Sequence, residues 1–354
     1  MFWILTGLVF IFIYSIYWWK VFDVITLIQP KADGDKDISI IIPVKNGIKH
    51  LKTSINQILF QNYSNFEVIY VDDHSVDDSF EFLKGFTDKY EQLSLLELES
   101  NNHGKKAALI KGVEGSKFPW LALTDVDCIP SSSNWLYTMA QNATESKKIV
   151  IAYAPYSKTS GILNLLIRFE CWINGMQYLG ACAKGFPYMG VGRNLFYHKS
   201  LFDSNKLQLN IPYGDDDLFV KSIAHRSNTT YTVDPNSFVY TEGETSYLHY
   251  IQQKWRHYST SRHYSLWIKI YLLGFFISMA GSLSFVVLIG FKYGLIWSLS
   301  IYFMRLLFIL PVVRRKSALL HEHDLFLLFP LMEIAYLIHL IIQIPLLWKI
   351  KKTW

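Results

Sequence analysis

The sequence predicts an α/β protein: a doubly wound, mostly parallel sheet with one N-terminal and two to three C-terminal transmembrane helices. Short β-branched apolar runs alternate with helical patterns between residues 38 and 153, and both chain ends are strongly apolar. Strands that alternate with helices favour a parallel sheet covered on both faces. An apolar run of about 20 residues is long enough to cross a bilayer.

The N-terminal segment, residues 1–22, is predicted to be a retained membrane anchor. Met1–Trp19 carries no charged residue, and it has neither a basic start nor a small-residue cleavage site. A secretory signal peptide would show both. Residues 265–348 are predicted to hold three further membrane segments. These are Trp267–Ile289, Tyr293–Val313 and Leu325–Trp348. A globular catalytic domain is expected between them, over residues 37–260.

Charge predicts the orientation of the membrane segments. Residues 314–316 are Arg, Arg and Lys, and they separate the last two apolar segments. Basic loops favour the cytoplasmic side, so we expect a multi-pass protein of the cytoplasmic (inner) membrane with a cytoplasmic catalytic domain. The basic tail at 349–352 would then lie outside if the last segment crosses the membrane. That segment is therefore predicted either to span or to be re-entrant or interfacial, with Glu333 indicating a polar surface.

Composition limits the partners. The net charge of +5 over 354 residues suits a protein near anionic lipid better than one that binds nucleic acid. Cys128, Cys171 and Cys182 lack metal-site spacing, so we interpret them as reduced thiols. No oligomeric state is predicted.

Strand and helix signals alternate along the first half of the chain. The predicted strands are Ile38–Pro43, Phe66–Val71, Leu93–Leu98, Trp120–Thr124 and Ile149–Tyr153. The predicted helices are one capped by Asn46, one over Asp77–Tyr90 and one over Gly104–Glu114, with Lys106 on a solvated face. The aromatic segment Gly161–Tyr188 is either an amphipathic helix on the membrane surface or ordinary core.

Polar groups follow three of the predicted strands. Ligands of parallel sheets bind at the carboxyl ends of strands, and Pro43-Val44, Asp72-Asp73 and Asp125-Val126-Asp127 all occupy such ends. Residues two apart on a strand face the same way, so Asp125 and Asp127 would repel one another without a cation. Hard divalent ions bind oxygen ligands and often hold substrate phosphates. The alternative is a polar turn.

Four motifs resemble those of a membrane-bound family 2 glycosyltransferase with a GT-A fold, similar in layout to ceramide glucosyltransferases. They are Ile40–Gly47, Val71–Ser79, Asn102–Leu109 and the D-x-D at Asp125–Asp127. The resemblance covers about residues 37–260. It implies that Asp73 reads a uracil base and that Asp127, with Asp125, binds Mn²⁺ or Mg²⁺. The implied nucleotide-sugar-binding residues are Pro43, Val44, Asn46, Asp72, Asp73, Lys105 and Asp125.

Two later motifs resemble the family's base and membrane-proximal elements. In Gly214–Leu218 the general base aligns with either Asp216 or Asp215. The run Gln253-Lys254-Trp255-Arg256-His257 resembles Q-x-x-R-W, with His257 in place of Trp. The resemblance implies catalytic roles for Gln253 and Arg256. It implies an acceptor site that includes Gly192, Arg193, Asn194 and His257.

The resemblance implies an inverting hexosyltransferase. It would move a sugar from a nucleotide-diphosphate sugar to a hydroxyl of a membrane lipid, and a UDP-sugar is the expected donor. The alternatives are a processive polysaccharide synthase and a non-catalytic membrane scaffold with the same fold. The few membrane segments and the missing Trp argue against the synthase. The intact acidic motifs argue against the scaffold.

Overall fold

The computed structural model describes residues 2–30, 34–207, 211, 214 and 216–349. The chain divides into two compact units. The helical unit consists of Met1–Thr26, Ser160–Lys184 and Glu244–Trp354, and the sheet unit consists of Leu27–Thr159 and Gly185–Gly243. The predicted domain of residues 37–260 therefore contains two stretches, 160–184 and 244–260, that group with the apolar helices.

The sheet unit is built on a seven-stranded, mostly parallel sheet. Its strands are β1 Ile38–Val44, β2 Phe66–Asp72, β3 Leu93–Glu97, β4 Trp120–Leu123, β6 Ile149–Ala152, β7 Leu195–His198 and β8 Thr229–Thr232, in the order β3-β2-β1-β4-β7-β6-β8. β1 to β4 run parallel, whereas β7 runs antiparallel to both β4 and β6. A two-stranded sheet pairs β5 Cys128–Pro130 with β9 Val239–Thr241. The five strands predicted from the sequence are all present.

Helices alternate with the strands. The three predicted helices are present as α2 Ile48–Leu59, α3 Ser79–Thr87 and α4 Lys105–Gly115, and two further helices are α5 Trp135–Asn142 and α7 Asp217–Ile223. The apolar positions Leu51, Ile55 and Ile58 of α2 are buried in one core with β1 and β2. Their spacing of three and four residues places them on one helix face, which is why the local pattern identified the helix.

Asn46 does not cap α2, contrary to the prediction. Its side-chain Oδ1 accepts a hydrogen bond from Val76 N–H at 2.8 Å. The N–H groups at the start of α2 find their acceptors after β2, far away in the sequence. Ile48 N–H donates to Asp77 Oδ2 at 3.1 Å, and Gly47 N–H donates to Ser79 Oγ at 2.8 Å. Orphan N–H groups at a helix start need acceptors, but these need not come from the local sequence.

The helical unit contains the apolar segments. α1 Phe2–Ile16 continues as the π-helix Tyr17–Phe22, followed along the chain by α6 Ile162–Ala183, α8 Tyr247–Ser261, α9 Leu266–Tyr293, α10 Leu295–Leu319 and α11 His323–Lys349. Within the described residues, four stretches are long and apolar enough to cross a membrane: Trp3–Phe22, Leu266–Tyr293, Leu295–Leu319 and His323–Gln343. One N-terminal and three C-terminal segments were expected.

Glu333 forms a buried ion pair rather than a polar surface. Arg305 of α10 donates from Nη1 and Nη2 to Glu333 of α11 at 2.8 and 2.6 Å, and both side chains are fully buried. Ser282 Oγ accepts from Arg305 Nε at 3.0 Å, and the Tyr14 hydroxyl donates to Glu333. The interpretation of Glu333 as a surface residue was wrong, because a carboxylate in apolar surroundings is kept only with partners such as these.

α6 accounts for the aromatic segment after residue 160. Phe169, Trp172 and Tyr178 are buried, and the Trp172 ring lies 5.8 Å from the ring of Trp18. Arg168 of the same helix pairs with Asp324 at 2.7 Å. The segment is thus part of the core of the helical unit, as the second of the two alternatives predicted.

Candidate functional site

The carboxyl ends of β1 and β2 form the first part of the site. Val44 lies opposite Asp72 in the parallel register, and Asp73 N–H donates to Val44 O at 2.8 Å. Ser75 N–H donates to Asp72 Oδ2 at 2.9 Å, which closes the turn after β2. Pro43, Val44, Asp72 and Asp73 therefore lie together at one edge of the sheet.

Asn46 joins the turn after β1 to the turn after β2. Its backbone adopts the left-handed conformation, with φ of +52°, which Asn tolerates better than most residues. Its N–H donates to Ser75 Oγ at 2.9 Å, and its Oδ1 accepts from Val76 N–H. Asn46 thus fixes the shape of the edge through hydrogen bonds within the protein.

Asp77 braces the same edge. Burial alone would raise the pKa of its carboxyl, but hydrogen bonds from Ser79 Oγ and from the Ile48 and Ser79 N–H groups outweigh burial and lower the pKa. The carboxylate form is the one that accepts these bonds. Asp77 therefore also stabilises the start of α2, by accepting a hydrogen bond from Ile48 N–H.

Asp73 keeps one oxygen available as an acceptor. Its Oδ2 accepts from Lys45 Nζ at 3.1 Å and from Gly104 N–H at 3.0 Å. Its Oδ1 is buried and accepts no hydrogen bond within the described part of the chain, and Nδ1 of His103 lies 3.7 Å away. A buried acceptor without a donor costs free energy, so this oxygen is suited to receive a donor group from a ligand.

Asp125 and Asp127 lie between β4 and β5, and both are partly exposed. Lys105 Nζ lies 2.8 Å from Asp125 Oδ1. Thr241 Oγ1, on β9, donates to Asp127 Oδ2 at 3.0 Å. The two carboxylates are therefore oriented by different elements and retain further lone pairs for a cation.

The donor set at this point fits a hard divalent ion. Asp125, Asp127 and Cys128 each offer one ligand atom, and these atoms lie within 4.8 Å of one another. Burial, together with the charges of Asp127 and Asp125, raises the pKa of the Cys128 thiol well above its usual range. A protonated thiol is a poor ligand, so carboxylate oxygens remain. Such oxygens are preferred by Mg²⁺ and Mn²⁺.

The start of α4 connects the two acidic motifs. Gly104 has φ of +93°, a conformation that favours glycine, and its N–H donates to Asp73. The next residue, Lys105, pairs with Asp125. Three predicted binding residues, Asp73, Lys105 and Asp125, are thereby brought together around one helix N-terminus.

Lys106 is buried, contrary to the prediction of a solvated face. Its Nζ donates to Leu207 O at 2.6 Å and to Ile211 O at 2.8 Å. The helical period could have revealed this, because Lys106 lies three residues before Leu109 and seven before Val113, which are both buried. Lys106 thus ties α4 to the segment that leads to the predicted base.

Asp216 contacts a predicted acceptor residue. Its Oδ1 accepts from Asp217 N–H at 2.7 Å at the start of α7, and its Oδ2 accepts from Gly192 N–H at 3.1 Å. A Cβ on Gly192 would lie only 3.0 Å from Asp216 Cβ. The alternative base, Asp215, lies outside the described residues.

Asp217 is buried beside the predicted base, and its Oδ1 accepts from Leu218 N–H at 2.7 Å. Burial first, and the charge of Asp217 second, raise the pKa of Tyr188 far above its usual value. The third carboxylate of the acidic run therefore belongs to the interior, which leaves Asp215 and Asp216 as the candidates for the base.

Arg193 and Asn194 follow Gly192 but face inward. The Arg193 guanidinium lies 5.0 Å from the centre of the Tyr156 ring and donates to Ala154 O. Asn194 is fully buried. Its amide donates to Tyr153 O and Ser237 O, each at 2.8 Å, and accepts from Trp135 Nε1 at 3.0 Å. The Asn194 side chain therefore links three segments of the sheet unit by hydrogen bonds. Because it is buried, it is not accessible to an acceptor substrate in this conformation.

Gln253, Arg256 and His257 lie on α8 in the helical unit. Gln253 is half-buried and Arg256 is exposed, while the side chain of His257 is outside the described part. The assignment of these three residues to the site stays a prediction.

Residues 39–202 match the sequence profile of the family described as Glycosyl transferase family 2. The chain carries a family 2 glycosyltransferase domain. It is 36% identical over 101 residues to "Glycosyltransferase AglE" of Haloferax volcanii, which covers 28% of this chain and 33% of that protein. It is 31% identical over 143 residues to "Glycosyltransferase GlyG" of Streptococcus pneumoniae, over 40% of this chain and 45% of that protein. The chain thus spans about a third to a half of these curated relatives.

A solved structure shares the fold over nearly the whole chain. The mannosyltransferase PcManGT from Pyrobaculum calidifontis, solved in complex with GDP-Man and Mn²⁺, superposes with a TM-score of 0.59 at 13% identity, covering 95% of this chain and 97% of its own. This similarity establishes a GT-A-like fold with associated apolar helices. The fold and family predicted from the sequence motifs are confirmed.

Proposed function

We propose that the protein is an inverting glycosyltransferase that moves a sugar from a nucleotide-diphosphate sugar to a hydroxyl of a membrane lipid. One observation carries the proposal. Gly104, which precedes α4, and Lys105, its first residue, contact the two acidic motifs, since Gly104 N–H donates to Asp73 and Lys105 pairs with Asp125. A helix N-terminus beside a lysine favours phosphate. This arrangement supports a phosphate site between Asp73, which would read the base, and the pair Asp125 and Asp127, which would bind the metal.

The hydrogen bonding of Asp73 favours a UDP-sugar as donor. Guanine offers two adjacent N–H groups to a carboxylate, whereas uracil offers a single imide N–H. Asp73 Oδ2 already accepts from Lys45 and Gly104, so one oxygen, Oδ1, is left for the base. Pro43, Val44, Asn46 and Asp72 would shape the pocket around the base and ribose.

Asp127 and Asp125 would hold Mn²⁺ or Mg²⁺. Such an ion acts as a Lewis acid and neutralises the charge of the diphosphate leaving group. Thr241 orients the Asp127 carboxylate toward this task by donating to its Oδ2. Lys105 adds a mobile positive charge near the phosphates, and Arg256 with Gln253 of α8 would add further donors.

Asp216 would act as the general base, with Asp215 as the alternative. Gly192 N–H and Asp217 N–H hold the Asp216 carboxylate in a fixed orientation. The carboxylate takes the proton from the acceptor hydroxyl as the oxygen attacks the anomeric carbon and the nucleoside diphosphate departs. One base suffices, because the departing diphosphate needs neutralisation rather than a proton. Gly192, Arg193 and His257 would border the acceptor.

The membrane supplies the argument for a lipid acceptor. In the part of the chain that the structure describes, four helices are long and apolar enough to cross a membrane, and the basic residues at 314–316 favour a cytoplasmic domain. A chain anchored in this way would act beside a bilayer. A hydroxyl on a membrane lipid is therefore the acceptor at highest local concentration.

Lipid mass spectrometry tests the proposed function. Membranes from cells that express the wild type, Asp127→Ala or the control Asp88→Asn would be compared; Asp88 is exposed at the end of α3. A hexose-type mass on a lipid with the wild type and with Asp88→Asn, absent with Asp127→Ala, supports the proposal. A polymer in place of the lipid product, or the same lipid with Asp127→Ala, contradicts it.

A further inference from the structure

Glu170 of α6 is a buried carboxylate surrounded by donors from two other helices. Lys254 Nζ lies 3.0 Å from its Oε1, and the hydroxyl of Tyr258 donates to the same oxygen at 3.1 Å. Tyr250 donates to Oε2, and Nε2 of His339, on α11, lies 3.5 Å from that oxygen. The carboxylate is 1% exposed. Residues of α6, α8 and α11 therefore meet on one side chain.

This carboxylate is ionised. Burial alone would raise the pKa of Glu170, but the charge of Lys254 and the hydrogen bonds from His339, Tyr250 and Lys254 outweigh burial and lower the pKa to about 2. Lys254 is itself mostly buried, at 12% exposed. Removing one partner of such a pair leaves the other buried and uncompensated, which is costly.

The α8 residues that hold Glu170 form a single stripe. Tyr250, Lys254 and Tyr258 are spaced four residues apart, so they lie on one face of the helix. Each residue turns the helix by about 100°, so Gln253 lies about 100° and Arg256 about 160° around the helix axis from the centre of this stripe. The contacts with Glu170 therefore set the rotation of α8 about its own axis, and with it the direction of Gln253 and Arg256.

We infer that Glu170 and Lys254 are positioning residues for the reaction, and that their ion pair orients Gln253 and Arg256. The inference rests on the proposed function, because it assumes that the Q-x-x-R pair contributes to transfer. It assigns a role to Lys254, which lies between Gln253 and Arg256 in the sequence. It also assigns a role to Glu170 of α6, a helix that contains none of the acidic motifs. Misplacement of a catalytic group by about 1 Å can lower a rate by about 100-fold.

Steady-state kinetics of variants of the full chain in detergent test the inference. Glu170→Gln keeps the shape of the side chain and one acceptor oxygen for a tyrosine hydroxyl but removes the charge, and Lys254→Met removes the other charge. Arg256→Ala tests the motif itself, and Gln252→Ala is the matched control, since Gln252 is exposed on the same helix. Activity is expressed per mole of folded enzyme, and thermal unfolding is followed in parallel.

We expect Glu170→Gln and Lys254→Met each to lower kcat by about 100-fold, with donor KM changed by less than about threefold because Asp73 still reads the base. Lys254→Arg should restore much of kcat, since it restores the charge. The double variant should be no slower than the slower single variant, because both changes remove one interaction.

Two results would overturn the inference. If Arg256→Ala is slow while Glu170→Gln and Lys254→Met keep wild-type kcat, the ion pair is purely structural. If the two variants only lower the unfolding temperature and leave kcat per folded enzyme unchanged, the same conclusion holds. Full activity of Arg256→Ala would instead contradict the role of the motif in the proposed function.

Discussion

Lys105 Nζ lies 2.8 Å from Asp125 Oδ1, so a lysine neutralises the first carboxylate of the D-x-D pair. A divalent ion would compete with Lys105 for Asp125, and a diphosphate would compete with Asp125 for Lys105. We expect Lys105 to offset the charge of Asp125 when ion and donor are absent, and to contact the phosphates when they bind. This relationship connects the predicted nucleotide helix to the predicted metal site, and it gives the first prediction.

Lys105→Met should tighten binding of Mn²⁺ alone and weaken binding of the donor. Both partners are partly exposed, so the pair contributes at most about 1 kcal/mol, which is about fivefold in metal affinity. Electron paramagnetic resonance titration of Mn²⁺ measures the first effect, and donor KM the second. Weaker Mn²⁺ binding by the variant would show that Lys105 does not compete with the ion.

Asp127→Ala should abolish transfer without unfolding the protein. Loss of the ion removes several kcal/mol of stabilisation from the leaving group, so we expect a rate decrease of about 1000-fold or more. Addition of EDTA to the wild type should have the same effect, reversed by excess Mn²⁺ or Mg²⁺. Transfer that persists in EDTA would rule out the metal assignment.

Asp216→Asn should lower kcat by about 100-fold to 10,000-fold, the usual contribution of a general base, while donor KM stays near the wild-type value. Gly192→Ala should also lower kcat, since the new Cβ would meet Asp216 Cβ at 3.0 Å. Asp215→Asn is the comparison. A larger effect of Asp215→Asn than of Asp216→Asn would assign the base to Asp215.

Cys128 should resist alkylation by iodoacetamide at pH 8. Burial and the charges of Asp127 and Asp125 raise the pKa of the thiol, so the reactive thiolate forms only at a pH well above that of an ordinary cysteine. In a variant without Cys171 and Cys182, labelling followed by mass spectrometry should require denaturant. Asp127→Asn should increase labelling at high pH, because it removes one of the charges. Rapid labelling of the folded wild type would contradict this environment.

Glu333→Gln should destabilise the helical unit. Arg305 is fully buried against Glu333, and breaking a buried ion pair from one side costs about 3 to 5 kcal/mol. The paired change Arg305→Met with Glu333→Leu should cost less, since no charge is left alone. Thermal unfolding in detergent measures both. Equal stability of Glu333→Gln and the wild type would show that the pair contributes little.

The parallel half of the sheet could be predicted because its information is local. The β-branched runs of β1 and β2, the short apolar run of β4 and the apolar period of α2 each match the pattern of one kind of element. β7 was not predicted from the sequence. Leu195–His198 is only four residues long, and it is held in the sheet by antiparallel pairing with β4 and β6. No local pattern encodes such a partner.

The acidic motifs of the site were also visible, since each follows a predicted strand. Burial of charged groups was not. Lys106 finds its acceptors 101 and 105 residues away, and Glu170 finds Lys254 in a distant helix. From the sequence alone a charged residue is predicted to be exposed, because its burial is tolerated only with a partner that the sequence does not reveal.

The most direct test of the central claim is calorimetric titration of UDP into the purified protein, in Mn²⁺ and in EDTA, for the wild type, Asp73→Ala and Asp127→Ala, with GDP as the second ligand. The account predicts that the wild type binds UDP more tightly than GDP in Mn²⁺, that EDTA or Asp127→Ala weakens this binding strongly, and that Asp73→Ala removes the preference for UDP. If the wild type in EDTA, or Asp127→Ala in Mn²⁺, binds UDP as tightly as the wild type does in Mn²⁺, the metal-dependent nucleotide site is contradicted.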